Sequence, residues 1–207
     1  MNTVITIGRQ YGSGGRELGQ MIANRLGFEF YDEELVTMAA EKNKMHEDIL
    51  KAVDEKATKS LLYTLVTGSD LRYMHSTQYD MPINDKLFIT QSEIIKNLSE
   101  KSSCVIVGRC ADYVLRDSNH NCIHLFIYAD MESKIKRISK KYDLSEDNAK
   151  DKIKKIEKVR KSYYNYYSSR DWGNTANYDL CLNTAKLGLD KSCDIICEYV
   201  KKAMEEK

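Results

Sequence analysis

Proline is nearly absent from this sequence: Pro82 is the only one in 207 residues. Helices can therefore run long without the lost N–H and the ring clash that proline imposes. Long apolar runs are missing as well. None approaches the roughly 20 residues that cross a bilayer, and the N-terminus has no basic segment followed by an apolar stretch, so we expect a cytoplasmic protein without membrane contact. Neither sign of charge dominates, with 32 Lys and Arg against 31 Asp and Glu for a net +1, so no global field argues for a nucleic acid or a membrane surface as partner.

Metal-binding patterns are also lacking. Only four histidines occur, His46, His75, His120 and His124, and none has other ligand-type residues around it, so surface or packing roles are expected. The six cysteines contain no C-x-x-C pair. Cys193 and Cys197 stand four apart on an expected helix but lack the further ligands of a zinc site, and reduced thiols packed as small apolar groups are the expectation.

What remains is the composition of an ordinary globular chain, 42% hydrophobic and 30% charged. Its length suits one α/β core and would crowd two. Five short apolar segments read as strands: Val4–Gly8, Phe28–Tyr31, Cys104–Gly108, Cys122–Tyr128 and Tyr178–Asn183. Several are nearly continuous, as in strands covered on both faces of a parallel sheet. Helical spacing lies between them. Leu18, Ile22 and Leu26 share one face, Ile153, Ile156, Val159 and Tyr163 another, after a Ser145-Glu-Asp cap signal. Ile195, Ile196, Tyr199 and Val200 mark a final helix. The alternation predicts a doubly wound α/β fold in one domain, 1–207. Residues 33–85 are too many for one crossover helix, and we expect a helical insertion there.

The most informative stretch is ITIGRQYGSGGRELG, residues 5–19. A strand stops at Gly8, a glycine-rich turn follows, and a helix begins. In open α/β sheets the first such turn is a favoured ligand site. Gly12, Gly14 and Gly15 can bring backbone N–H groups close to an anion, and the helix N-terminus adds a partial positive charge. In a G-x-x-x-x-G-K-[ST] loop, lysine reaches the terminal phosphates and a hydroxyl helps hold magnesium. Aligned on Gly14, this chain has Arg9 for the first glycine, Gly15 for the lysine and Arg16 for the hydroxyl residue. Arg16 or Arg9 could supply the charge, though a guanidinium is a planar fork. Ser13 is the nearest hydroxyl. From these residues alone, a phosphate cradle and a merely tight strand-to-helix turn both stay open.

Taken together, TIGRQYGSGGRELG, LGFEFYDEEL and CVIVGRCADYVL closely resemble the cytidylate kinase-like family, a divergent branch of the P-loop nucleoside monophosphate kinases. The resemblance covers most of the chain and is least recognisable over 41–80. It implies a P-loop NTPase-type, five-stranded parallel sheet of order 2-3-1-4-5, flanked by helices, with the 33–85 insertion binding the acceptor and a lid over 145–172. It assigns Arg9, Gly12, Ser13, Gly14, Gly15 and Arg16 to the phosphates of ATP. Asp32 would hold the acceptor or a metal-bound water, or else cap the following helix. Ser13 and Asp32 would be the magnesium-side residues.

Gly108-Arg109 matches the Gly-Arg whose arginine grips the acceptor phosphate, a role that bidentate geometry at a strand's carboxyl end suits. An ion pair to a neighbouring carboxylate is the alternative for Arg109. Asp112 would orient Arg109 or cap the turn. Cys110 stands where cytidylate kinases have an aspartate, which weakens any transfer of cytosine specificity. Arg137, Arg160 and Arg170, with Arg16, would neutralise the transferring phosphate. Tyr163, Tyr164, Tyr166 and Tyr167 could stack on a base, with at least two expected in the core. The loop Thr184–Gly188, Thr184 and Leu187 in particular, would seat the adenine. The implied activity is phosphoryl transfer from ATP with Mg²⁺ to a nucleoside monophosphate, CMP first. A nucleotide-binding sensor without turnover, or a kinase for another small metabolite, stand beside it. Small-molecule nucleotides are the expected partners; the sequence does not fix the oligomeric state.

Overall fold

The computed structural model describes residues 2–42, 83–118 and 121–205. Most of the expected insertion, with His46 and His75, and also His120, lies outside the described residues. The described elements run β1 (Thr3–Arg9), α1 (Gly15–Leu26), β2 (Glu29–Tyr31), α2 (Glu34–Lys42), α3 (Ile83–Lys101), β3 (Cys104–Val107), α4 (Ala111–Val114), β4 (Asn121–Tyr128), α5 (Met131–Tyr142), α6 (Glu146–Ser168), a 3₁₀ turn (Thr175–Asn177), β5 (Leu180–Asn183) and α7 (Thr184–Glu205).

All five strands form one parallel sheet in the order β2-β3-β1-β4-β5. Thus β1 lies at the centre, with Ile5 opposite Val105 of β3 and Ile123 of β4. Because successive strand residues point to opposite faces, β1 feeds two cores. Ile5 and Ile7 join Leu18, Ile22, Cys193, Ile196 and Val200 beneath α1 and α7. Val4 joins Leu35, Leu87, Ile95, Ile106 and Leu115 beneath α2, α3 and α4. Both sheet faces are covered, which is why the strands read as continuous apolar runs.

Local signals set the element ends. Gly14 begins α1 at φ 78° and Gly27 ends it at φ 69°, left-handed conformations in which glycine carries no Cβ penalty. The Asp130 carboxylate accepts from Ser133 N–H at the start of α5, and the Ser145 hydroxyl accepts from Asn148 N–H at the start of α6, as the Ser145-Glu-Asp signal indicated. The last helix differs from expectation. Its buried face is Cys193, Ile196, Cys197 and Val200, while Ile195 is exposed. All six cysteines are free thiols, and no cluster of His, Cys, Asp and Glu suited to a metal occurs among the described residues.

Candidate active site

The carboxyl end of β1 runs into the turn Gln10–Gly14, and the turn is held from within. Ser13 donates its hydroxyl proton to the Gln10 carbonyl at 2.9 Å and accepts from Gly15 N–H at 3.3 Å. Thr184, the first residue of α7, donates to the Ser13 carbonyl at 2.6 Å, tying the loop to the end of β5. Space around the glycines is closed. A Cβ on Gly14 would lie 2.8 Å from Leu189 and 3.1 Å from the Arg137 guanidinium carbon, and one on Gly15 would lie 2.7 Å from the Arg9 side chain. Gly12 and Gly14 both have positive φ. These contacts keep the backbone bare where an anion would meet its N–H groups.

Around this turn the fold gathers guanidinium groups and one carboxylate. Asp32, at the end of β2, is 1% exposed. Its two oxygens face Arg9 Nη2 at 3.3 Å and Arg16 Nε at 2.5 Å. Arg16 is therefore turned toward Asp32, and this pairing raises its guanidinium pKa. Asp32 takes the two arginines and not the helix end. Arg109 is buried and forms no ion pair among the described residues. Burial, with the charge of Arg9 adding to it, pushes the Arg109 guanidinium down from its ordinary value. Arg160, from α6, donates to the Arg9 carbonyl at 3.1 Å and lies over the Tyr11 ring. Burial and the charge of Arg9 push it down too. Arg9 itself keeps a buried Nε with no hydrogen-bond partner.

Gly108 closes this cluster, since a Cβ there would fall 1.8 Å from Arg9 Nη1. Gly108, Arg109 and Cys110 all have left-handed backbones, at φ 77°, 59° and 54°. For the two non-glycine residues that conformation is costly, and such strain concentrates at functional turns.

The other expected residues take different places. Arg137 pairs with Glu17 of α1 at 2.7 Å and rests against Gly14. Arg170 lies 6.0 Å from the Tyr113 ring of α4, and its described contacts do not include the glycine turn. Asp112 makes no direct bond to Arg109 and does not cap α4; it accepts from the Tyr164 hydroxyl at 2.6 Å. Burial of Asp112 raises its carboxyl pKa, offset in part by that bond. Of the four tyrosines on α6, Tyr164 is buried, Tyr163 and Tyr167 pack on Phe88 of α3, and Tyr166 is exposed. Residues Thr184–Leu187 form a helical turn and not the expected loop, and Gly188 at φ 73° breaks the helix after it. Leu187 is partly exposed on that turn.

Sequence reading missed Lys134. It sits on α5 inside a run of surface-type residues, yet its ammonium is buried, 2.9 Å from Glu157 of α6 and 3.2 Å from the Gln10 side-chain carbonyl. Gln10 also accepts from Ala129 N–H at the end of β4. The only signal was position: Lys134 is one turn after the Asp130 cap, next to the Gly12 backbone. As for magnesium, both oxygens of Asp32 face guanidinium groups, and the Ser13 hydroxyl is used to close its own turn. These residues do not make a ready cation site.

The geometry has counterparts in known proteins. The model of the cytidylate kinase-like family matches residues 4–186. A cytidylate kinase from Staphylothermus marinus is 27% identical over 106 residues, which is 51% of this chain and 59% of that protein. The match thus spans less than two thirds of that relative. Among solved structures, an uncharacterized protein from Eubacterium ventriosum is 29% identical, with a TM-score of 0.68 over 97% of this chain and 99% of that one. A shikimate kinase from Acinetobacter baumannii, solved in complex with shikimate, shares the fold at 13% identity, with a TM-score of 0.53 over 98% of this chain and 94% of that one.

Proposed function

The chain belongs to the cytidylate kinase-like family, and from that premise we propose that it transfers the γ-phosphoryl group of ATP to a nucleoside monophosphate, with CMP as the first acceptor to test. One observation carries this reading. Arg9, Arg109 and Arg160 converge beside the glycine turn, where the buried carboxylate of Asp32 pairs with Arg9, and Arg109 and Arg160 are held below their ordinary pKa by burial and by the charge of Arg9. Buried cations without matching anions are costly unless a ligand supplies the charge. A chain of phosphates does so.

In the proposed reaction the glycine turn and the N-terminus of α1 cradle the β- and γ-phosphates through backbone N–H groups. Arg109 holds the acceptor phosphate by a bidentate contact. An oxygen of that phosphate attacks the γ-phosphorus in line. A new P–O bond forms there, the bond from the γ-phosphorus to the β,γ-bridging oxygen breaks, and ADP leaves with the electron pair. Arg160 and Arg9 stabilise the charge spread over the transferring group, which is positioning and electrostatics without covalent chemistry by the protein. Arg16 serves by holding Asp32 and is released to phosphate when the site fills. Magnesium is proposed to enter bound to ATP, since the residues present build no cage for it.

The 33–85 region is proposed to bind the acceptor, the 145–172 region to act as the lid, and Thr184–Leu187 to flank the adenine. A cytoplasmic location accords with six free thiols and with no described helix long and apolar enough to cross a membrane. A nucleotide sensor without turnover is the second reading, favoured by Gly15 in the lysine's place. Incubation with ATP, Mg²⁺ and a panel of monophosphates distinguishes the two. A diphosphate product supports the kinase; bound nucleotide with no product supports the sensor.

A further inference from the structure

One buried hydrogen bond joins the two sides of the proposed site. Tyr164, 4% exposed, donates its hydroxyl to Asp112, 5% exposed, at 2.6 Å. Tyr164 lies four residues after Arg160, one turn along the same face of α6. Asp112 lies three residues after Arg109, just past the strained left-handed turn. The neighbouring Tyr163 lies within electrostatic reach of Arg109 and Cys110. The bond therefore connects the element carrying Arg160 to the element carrying Arg109, although neither tyrosine hydroxyl nor carboxylate touches either guanidinium.

We propose that Asp112 and Tyr164 are a positioning pair that fixes the separation of Arg109 and Arg160, and with it the distance between acceptor phosphate and transferring phosphoryl group. The inference rests on the kinase reading given above. Two features point to positioning and not to packing alone. A carboxylate three residues from Arg109 would be its natural ion-pair partner, yet the fold turns Asp112 away to a phenol, and Arg109 has no ion pair among the described residues. The pocket around the bond is itself polar. The Tyr178 hydroxyl is buried beside Tyr164, and Arg170 adds favourable charge to Asp112. An apolar contact would have joined α4 and α6 at lower cost than a buried carboxylate.

The test compares two ligands in calorimetric titrations: ATP alone, and a cytidine–adenosine pentaphosphate whose five phosphates span both halves of the site. Tyr164→Phe and Asp112→Ala are expected to weaken the bisubstrate ligand by about tenfold while leaving ATP within about twofold, because misplacement matters only to a ligand that bridges. Asp112→Asn keeps an acceptor oxygen for the phenol and is expected to restore wild-type affinity. In turnover, Tyr164→Phe is expected to lower kcat and raise KM for the acceptor more than KM for ATP. Equal weakening of both ligands, or no weakening with a lowered Tm, would assign the bond to stability and overturn the proposal. Failure of the wild-type protein to bind either ligand would instead remove the kinase reading beneath it.

Discussion

Arg160 on α6 donates to the carbonyl of Arg9 at the end of β1, 3.1 Å away and 151 residues earlier in the chain. The contact brings a second positive charge to the mouth of the glycine turn, where desolvation and the charge of Arg9 push the Arg160 guanidinium down. An anion placed between them relieves that penalty. Inorganic tripolyphosphate is therefore expected to raise the Tm of the wild-type protein by several degrees, and Arg160→Ala is expected to abolish most of the rise. In turnover, loss of this charge should cost about 10²-fold in kcat, and Arg160→Lys should restore little because an ammonium lacks the planar fork.

Gly108 is a second point of leverage. Its backbone is left-handed, and any Cβ would fall on the guanidinium of Arg9. Gly108→Ala should displace Arg9 from Asp32 and destabilise the fold by about 1–2 kcal/mol from backbone conformation alone. Urea unfolding measures the stability loss. A fall in kcat larger than any rise in KM for the acceptor would show the displaced arginine at work.

The buried carboxylate of Asp112 gives a pH-dependent outcome. Burial raises its pKa above the unfolded value of about 3.9. A group with a raised folded pKa contributes stability that is fully present below the unfolded pKa and lost as pH rises through the folded pKa. At neutral pH the wild type therefore carries the cost of an ionised buried group that Asp112→Asn does not. The stability of Asp112→Asn relative to wild type should increase from pH 4 to pH 7 in urea titrations. A difference that stays constant with pH would show that Asp112 does not titrate in this way.

Thr184 links the turn to the far side of the sheet through its bonds to the carbonyls of Ser13 and Tyr128. Thr184→Val keeps the shape and removes the donor. It should cost about 1–2 kcal/mol, because the buried Ser13 carbonyl loses its partner. ATP affinity should fall with it, while acceptor affinity measured in the absence of ATP stays unchanged.

The strands were legible because both faces of the sheet are covered, so that β1 and β3 read as short apolar runs; their order came from the resemblance to the cytidylate kinase-like family and not from those runs. The glycine turn was equally plain, since Gly12 and Gly14 stand where only positive φ fits. Side-chain direction was not. Arg16 and Asp32 were each assigned to ligand or metal, yet they meet each other, because strand and helix spacing says nothing about which of several nearby charges an arginine chooses. Lys134 was hidden by its company: flanked by Ser133, Lys136 and Arg137, it reads as solvated, and only Glu157 on the next helix explains its burial. The loop expected at Thr184–Gly188 came from the resemblance, whereas the fold has a helical turn there that Gly188 ends.

The most direct measurement is phosphorus NMR of purified protein with ATP, Mg²⁺ and each nucleoside monophosphate in turn, repeated with Arg109→Ala and Arg160→Ala. Phosphoryl transfer predicts ADP and a nucleoside diphosphate in equal amounts, with CMP among the acceptors, and a fall of about 10²-fold or more in each variant. ATP that stays intact with every monophosphate, or turnover undiminished by loss of either arginine, would contradict a phosphotransferase that works through this arginine cluster.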